Sequence, residues 1–308
     1  MQIYLPIAEI PVDIFLIFGM SLAVGFISGM FGIGGGFLMT PLLIFSGIPS
    51  AVAVATEAGQ IAASSFTGAL SYWRRKALDL KLGLVLLAGG ITGTLLGVLF
   101  FNAMRAVGHL DLIISLSYVA FLGAVGGLML VESTRALLQA RGGKPPPARS
   151  SGRHVWFHGL PLKMRFRTSM LYVSAIPIVG LGVVIGFIGA VLGIGGGFLL
   201  VPALIYLFHV PTAVVIGTSL FQILVTMTAA TILHAVTNQS VDAVLAILLM
   251  LGGSIGAQFG ARAGQKLRGE QLRLLLALLL LAVCLRFAVD LVVTPADLFS
   301  ISGRGPDA

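Results

Sequence analysis

Eight stretches of this chain stay apolar for about the thickness of a bilayer, and that limits the backbone more than any motif it carries. They cover residues 11–31, 51–72, 82–101, 112–131, 171–191, 212–235, 241–261 and 272–293, each close to the roughly 20 residues that cross a hydrocarbon core as a helix. Lipid offers no partner to a backbone N–H or C=O, so such runs must close their own hydrogen bonds as helices. Shorter apolar pieces at 36–47 and 197–209 are only part-spans at about 1.5 Å per residue. With 57% hydrophobic and 10% charged residues, a soluble globular domain is excluded. The reading is an all-α polytopic membrane protein.

Two places defy the pattern. "GMFGIGGGFLMTP" at 29–41 and "AVLGIGGGFLLVP" at 190–202 set three glycines directly behind an apolar run and repeat the hexapeptide GIGGGF with a proline at the same distance. Glycine triplets end helices, and a helix end at membrane depth is tolerated only inside protein or beside a cavity. The duplication extends further. Gly25–Pro41 matches Gly186–Pro202, "PSAVAVATEAGQ" at 49–60 matches "PTAVVIGTSLFQ" at 211–222, and "GGITGTLLG" at 89–97 matches "GGSIGAQFG" at 252–260. The chain is a tandem repeat.

Charge gives the orientation. Sixteen of the nineteen Lys and Arg fall in three loops: Arg74, Arg75, Lys76 and Lys81; Arg135, Arg141, Lys144, Arg149, Arg153, Lys163, Arg165 and Arg167; Arg262, Lys266, Arg268 and Arg273. The positive-inside rule makes all three cytoplasmic, so the net charge of +8 belongs to topology and implies no nucleic acid. The middle loop contains "GGKPPPARSSGR" at 142–153, a flexible linker composition. Tracing the crossings between these loops makes 51–72 and 212–235 run in opposite directions. The count closes if each GIGGGF is the bend of a hairpin. The expected fold is two inverted repeats, each a broken-helix hairpin plus three transmembrane helices. Residues 1–131 form the first repeat, 132–170 a basic cytoplasmic linker, 171–293 the second repeat and 294–308 a C-terminal tail, with both termini on the periplasmic side. Glu9 and Asp13 without a Lys or Arg do not make the basic start of a cleaved signal, so the first run is read as a retained helix. Cys284 is the single cysteine, which excludes a disulfide framework and leaves it a packing residue.

GxGGGFxxxP, the P-x-A-V-x-x-(A/G)-T turn and helix, "GALSYWRR" at 68–75 and the duplicated plan resemble the sulfite exporter TauE/SafE family of membrane permeases, across both halves outside the linker and tail. The resemblance implies a secondary transporter, an exporter of sulfite, an organosulfonate or a related small organic anion, in a bacterial inner membrane. Where many family repeats resemble T-S, this chain has Thr56-Glu57.

The residues supply a physical rationale. Free N–H groups at a helix start and the helix dipole attract anions, and glycine lets a ligand approach the chain. Gly34, Gly35 and Gly36, with Gly195, Gly196 and Gly197, are therefore candidate substrate ligands. Thr56, Gln60 and Ser64 recur at helical spacing, as do Thr218, Gln222 and Thr226, and a polar stripe in a membrane helix faces a cavity or another helix. Thr56, Gln60, Thr218, Ser219 and Gln222 join the candidate site, with Ser64, Ser65 and Thr226 as weaker members. Glu57 sits at membrane depth, where ionisation without a partner is costly. A carboxyl that takes a proton as an anion binds would couple the two, so proton-linked alternating access is expected. Tyr72, His234 and Asn238 are gate candidates. Arg286 and Asp290 read as an i, i+4 ion pair. No cofactor or metal is expected, and the partners are the anion, protons, the bilayer and, with the residues silent on it, a homo-oligomer. A passive anion channel uses the same amides. A membrane-embedded enzyme would need a convergent catalytic set, which the five scattered histidines and the solitary Glu57 do not compose.

Overall fold

Each long apolar run forms a helix in the computed structural model, which describes residues 2–31, 36–141, 161–166, 168–169, 171–208, 210–264 and 269–292. Among the described residues there are ten helices. In the first repeat they are α1 (Ile14–Phe31), α2 (Gly36–Phe45), α3 (Ser50–Arg74), α4 (Leu80–Val107) and α5 (Leu110–Arg141). In the second they are α6 (Ala175–Leu192), α7 (Gly197–Tyr206), α8 (Thr212–Asn238), α9 (Ala243–Gly264) and α10 (Gly269–Val292). Six are long and apolar enough to cross a membrane, which makes this a multi-pass membrane protein.

The strands are a surprise. Residues read from sequence as the first turn of each leading span instead pair into small antiparallel hairpins, β1 (Gln2–Leu5) with β2 (Ile10–Asp13) and β3 (Lys163–Phe166) with β4 (Leu171–Ser174). The leading helices therefore start at Ile14 and Ala175, later than the runs drawn from 11 and 171. An apolar run cannot distinguish a short strand from a helix turn. Asp13 and Ser174 mark the true starts: the Asp13 carboxylate accepts from the Phe15 N–H at 2.8 Å and the Ser174 hydroxyl from that of Ile176 at 3.3 Å, as N-capping residues do. The apolar part of α5 ends at Val131 and the helix itself runs on to Arg141. The linker at 142–160, the tail at 294–308, Lys266 and Arg268 lie outside the described residues.

The repeats interlock. α1 packs along α9 and α4 along α6, and each of these pairs joins one repeat to the other. The contact is backbone on backbone. A Cβ added at Gly25 would stand 2.3 Å from the Gly253 carbonyl oxygen, at Gly29 2.1 Å from that of Ala257, at Gly89 2.1 Å from that of Val179 and at Gly93 2.1 Å from that of Val183. These are small-residue seams of the type that packs membrane helices, and their order shows both pairs to be parallel. α3 and α8 run antiparallel, because Gly59 lies by Thr231 and Gly68 by Leu220. α5 and α10 also run antiparallel, with Gly123 beside Cys284 and Gly126 beside Leu280 and Leu281. Cys284 donates to the Val119 carbonyl at 3.4 Å within that seam. Every major contact thus has a counterpart with the repeats exchanged.

The seams set a checkable expectation. Gly93→Ala forces the α4–α6 backbones apart and lowers the thermal unfolding midpoint of the detergent-solubilised protein, a loss of about 2 kcal/mol or more for an overpacked contact. Gly127→Ala, with nothing within 4 Å of the added carbon, leaves the midpoint unchanged or raised.

Candidate functional site

The two GIGGGF segments meet. Phe37 and Phe198, the same residue of the two copies, stack with ring centroids 5.2 Å apart and planes 21° from parallel. A Cβ on Gly36 would lie 2.9 Å from the Gly193 carbonyl oxygen, and the Thr40 hydroxyl approaches that oxygen at 3.5 Å. Tyr118 of α5 donates to the Leu192 carbonyl at 2.7 Å and stacks on Phe287, pinning the end of α6. Gly34 and Gly35 lie outside the described residues. In the second copy Gly193, Gly195 and Gly196 have φ of +68°, +71° and +72°, left-handed values that a side chain resists. This turn lets α6 stop and α7 restart within a few residues.

The start of α7 has amides to spare. Leu199 and Leu200 both donate to the Gly196 carbonyl, at 3.1 and 2.9 Å, so the Gly197 and Phe198 N–H groups ahead of them are the ones a helix start leaves without an intrahelical acceptor. A cavity of about 20 Å³ lies beside them, lined by Ile61 and Ser65 of α3, Gly195, Gly197, and Ser219 and Ile223 of α8. The Ser219 hydroxyl is buried without a hydrogen-bond partner.

A second cavity, of about 30 Å³, lies between α1, α3 and α9 and is lined by Ser21, Ser28, Glu57, Gln60, Ser64 and Gly253, among others. Glu57 is fully buried, and neither carboxyl oxygen has a partner. Gln60 lies against α9, since a Cβ on Gly253 would be 2.6 Å from its amide nitrogen. Its counterpart Gln222 lies the same way against Gly90, at 2.7 Å, with both amide atoms unpartnered. The Thr226 methyl is also at 2.7 Å from that position, while the Thr226 hydroxyl turns back to the Gln222 carbonyl at 2.9 Å.

Thr56 and Thr218 have a different task from the glutamines. The Thr56 hydroxyl accepts from the backbone N–H of Asp242 at 3.0 Å, and the Thr218 hydroxyl from that of Asp79 at 3.1 Å. Each aspartate in turn caps the next helix, Asp242 through the Val244 and Leu245 amides and Asp79 through those of Lys81 and Leu82. The other carboxylate oxygen reaches a β-hairpin turn. Asp242 accepts from the Ile7 N–H at 3.0 Å, and Asp79 from the Ser169 N–H and hydroxyl at 2.9 and 2.8 Å. These two mirrored locks lie at opposite ends of α3, and each ties a helix of one repeat to a loop and hairpin. Sequence reading passed over both aspartates. The available signal was their matched position before a helix start in each repeat, where aspartate caps.

The gate candidates separate. His234 and Asn238 come together: the His234 Nε2 lies 3.2 Å from the Ala190 carbonyl and its Nδ1 3.0 Å from the Asn238 amide nitrogen, a pairing that suits a neutral ring. Arg105 donates to the Asn238 carbonyl and the Ser240 hydroxyl, each at 2.9 Å. Tyr72 lies at the other end of α8, against Gly217. Arg286 and Asp290 form the expected ion pair at 2.5 Å.

Comparison with known proteins decides the lineage. The profile described as "Sulfite exporter TauE/SafE" matches residues 17–287. The chain belongs to this family. It is 31% identical over 265 residues to the "Probable membrane transporter protein YjnA" of Bacillus subtilis (strain 168), covering 85% of this chain and 94% of that protein. It is 26% identical to "Probable membrane transporter protein YunE" of the same organism, covering 86% and 93%. A third relative, "Probable membrane transporter protein MJ0441" of Methanocaldococcus jannaschii, is 25% identical over 89% of this chain and 96% of its own. No solved structure matches.

Removing a lock must cost stability. Asp79→Ala and Asp242→Ala each delete a helix cap and a hairpin tether, and each lowers the unfolding free energy by about 2 kcal/mol, read as a fall in the thermal midpoint. Asp111→Ala, whose carboxylate meets only the Ser50 hydroxyl among the hydrogen bonds described, falls by less.

Proposed function

We propose that the chain is a secondary carrier that exports sulfite, an organosulfonate or a related small organic anion by alternating access, with the second GIGGGF bend as its anion site. One observation carries this reading: Gly197, whose N–H starts α7, and Ser219, whose hydroxyl is unpartnered, line one cavity at the junction of the repeats. Both are donors, neither carries a fixed charge, and donors at a helix start suit an oxyanion. Gly195, Gly196, Gly197 and Ser219 supply the cradle, and Ser65 faces it from the other repeat. Gly34, Gly35 and Gly36 would offer the mirrored half. Gln60 and Gln222 line the route, and Tyr72, His234 and Asn238 would act at its ends.

The cavity holds about 20 Å³, room for one water and too little for a sulfur oxyanion. Admission therefore needs the repeats to part along α3 and α8. Antiparallel packing of those two helices supports an inverted arrangement in the membrane, the plan in which transporters rock one repeat against the other around a shared site. The locks at Thr56–Asp242 and Thr218–Asp79 would release alternately, one for each side. Glu57 would couple the movement to a proton.

Thermal shift with sulfite, thiosulfate, sulfoacetate, taurine and small carboxylates tests the substrate class, because a ligand that binds only the folded state raises the midpoint. At least one anion is expected to stabilise the protein, and Ser219→Ala to weaken it roughly tenfold, the factor for losing a hydrogen bond to a charged group. A panel in which only cations or neutral amino acids act would overturn the reading. In proteoliposomes the flux saturates; conductance that never saturates would make the protein a channel. Glu57→Gln removes the pH dependence of uptake, and an unchanged pH profile refutes proton coupling.

A further inference from the structure

We infer that the Glu57 cavity is a sodium site, so that the cation coupled to the proposed anion transport is Na⁺, with the proton as its competitor for the same carboxylate. The inference deepens the carrier reading and rests on it for its role, although the site itself stands on its own geometry.

The cavity gathers a buried carboxylate and four polar side chains. Both Glu57 carboxyl oxygens and the Gln60 side-chain oxygen are buried without a partner. The Ser21 hydroxyl spends its proton on the Leu249 carbonyl at 2.7 Å, so its oxygen is left to accept. The Gln60 amide nitrogen lies against Gly253 in the same wall. Ser28 adds a further hydroxyl, and Val24, Met39 and Ala257 close the rest of the lining. Once ionised, the carboxylate in this wall repels an oxyanion, unlike the uncharged cradle at Gly195–Gly197.

A proton alone does not settle these atoms. Protonated Glu57 has one O–H and can serve one acceptor, which leaves others unsatisfied at a cost of about 1–3 kcal/mol each. A metal cation meets several at once, and carboxylate, carbonyl and hydroxyl oxygens are the ligands that hard cations prefer. Charge and size choose among them. One carboxylate balances one positive charge, and a buried site tolerates little net charge. The 30 Å³ of space holds a single small ion and excludes an organic ammonium. The first and second repeats differ here: Glu57 occupies the position of Ser219, so one copy of the motif takes the anion and the other the cation.

The test is binding of radiolabelled Na⁺ to the purified wild-type protein by scintillation proximity, at constant ionic strength in choline, with and without K⁺. Saturable binding that K⁺ does not displace is expected, weakening as pH falls because the proton competes for Glu57. Among the described residues Tyr118 is the other titratable group within electrostatic reach of that carboxylate, and its hydroxyl is committed to Leu192. Glu57→Gln abolishes binding, and Ser28→Ala, which keeps the charge, weakens it roughly tenfold, equivalent to about 1.4 kcal/mol. Absence of saturable Na⁺ binding at alkaline pH overturns the inference, as does undiminished binding in Ser28→Ala together with any variant of Glu57 that folds. Na⁺ binding in a protein that no anion stabilises would leave the sodium site standing and remove the anion carrier.

Discussion

The close approach of glycine-lined backbones between the repeats is the contact on which the rest of the structure depends. In water a core is held by expelling solvent, but lipid tails are as apolar as leucine, and helices in a bilayer associate through packing and hydrogen bonds. Gly25, Gly29, Gly89 and Gly93 let α1 reach α9 and α4 reach α6 with no side chain between. Those two seams hold the repeats against each other. They bring Phe37 onto Phe198 and place the helix restart of α7 inside protein, where its amides are shielded from lipid. Without the seams the start of α7 would expose unpaired backbone to hydrocarbon.

Two kinds of polar group occupy the space the seams enclose. Thr56, Thr218, Asp79 and Asp242 are saturated by one another, by helix starts and by hairpin turns. Glu57, Gln60, Ser219 and Gln222 retain atoms with no partner. Fully satisfied groups hold an architecture, while unsatisfied ones in the interior carry a cost that a ligand can relieve. The saturated set lies toward the two ends of α3 and α8, and the unsatisfied set between them. The unsatisfied groups are thus flanked on both sides by satisfied ones.

Much of this was legible in the sequence, for reasons that differ by element. The long helices followed from lipid's refusal to hydrate a backbone, and the bend before α7 from GIGGGF ahead of Pro202. The polar stripe on α3 and α8 was visible from spacing alone. Its division of labour was not, because Thr56 and Gln60 share a face and only the third dimension gives one to Asp242 and the other to Gly253. Asp79 and Asp242 looked like loop residues next to apolar runs. The β-hairpins were invisible for a simpler reason: four-residue strands such as Leu171–Ser174 leave no periodicity long enough to separate from a helix.

The parallel seam between α1 and α9 has a consequence for how the chain is made. α1 leaves the ribosome far ahead of α9, so the surface carrying Gly25 and Gly29 enters the membrane long before its mate exists. Contacts this distant along the chain delay folding, and for most of synthesis the leading hairpin must be sheltered by lipid or by the insertion machinery. A polypeptide interrupted between its repeats leaves that furrow bare and is an orphan for quality control, not a half-working transporter.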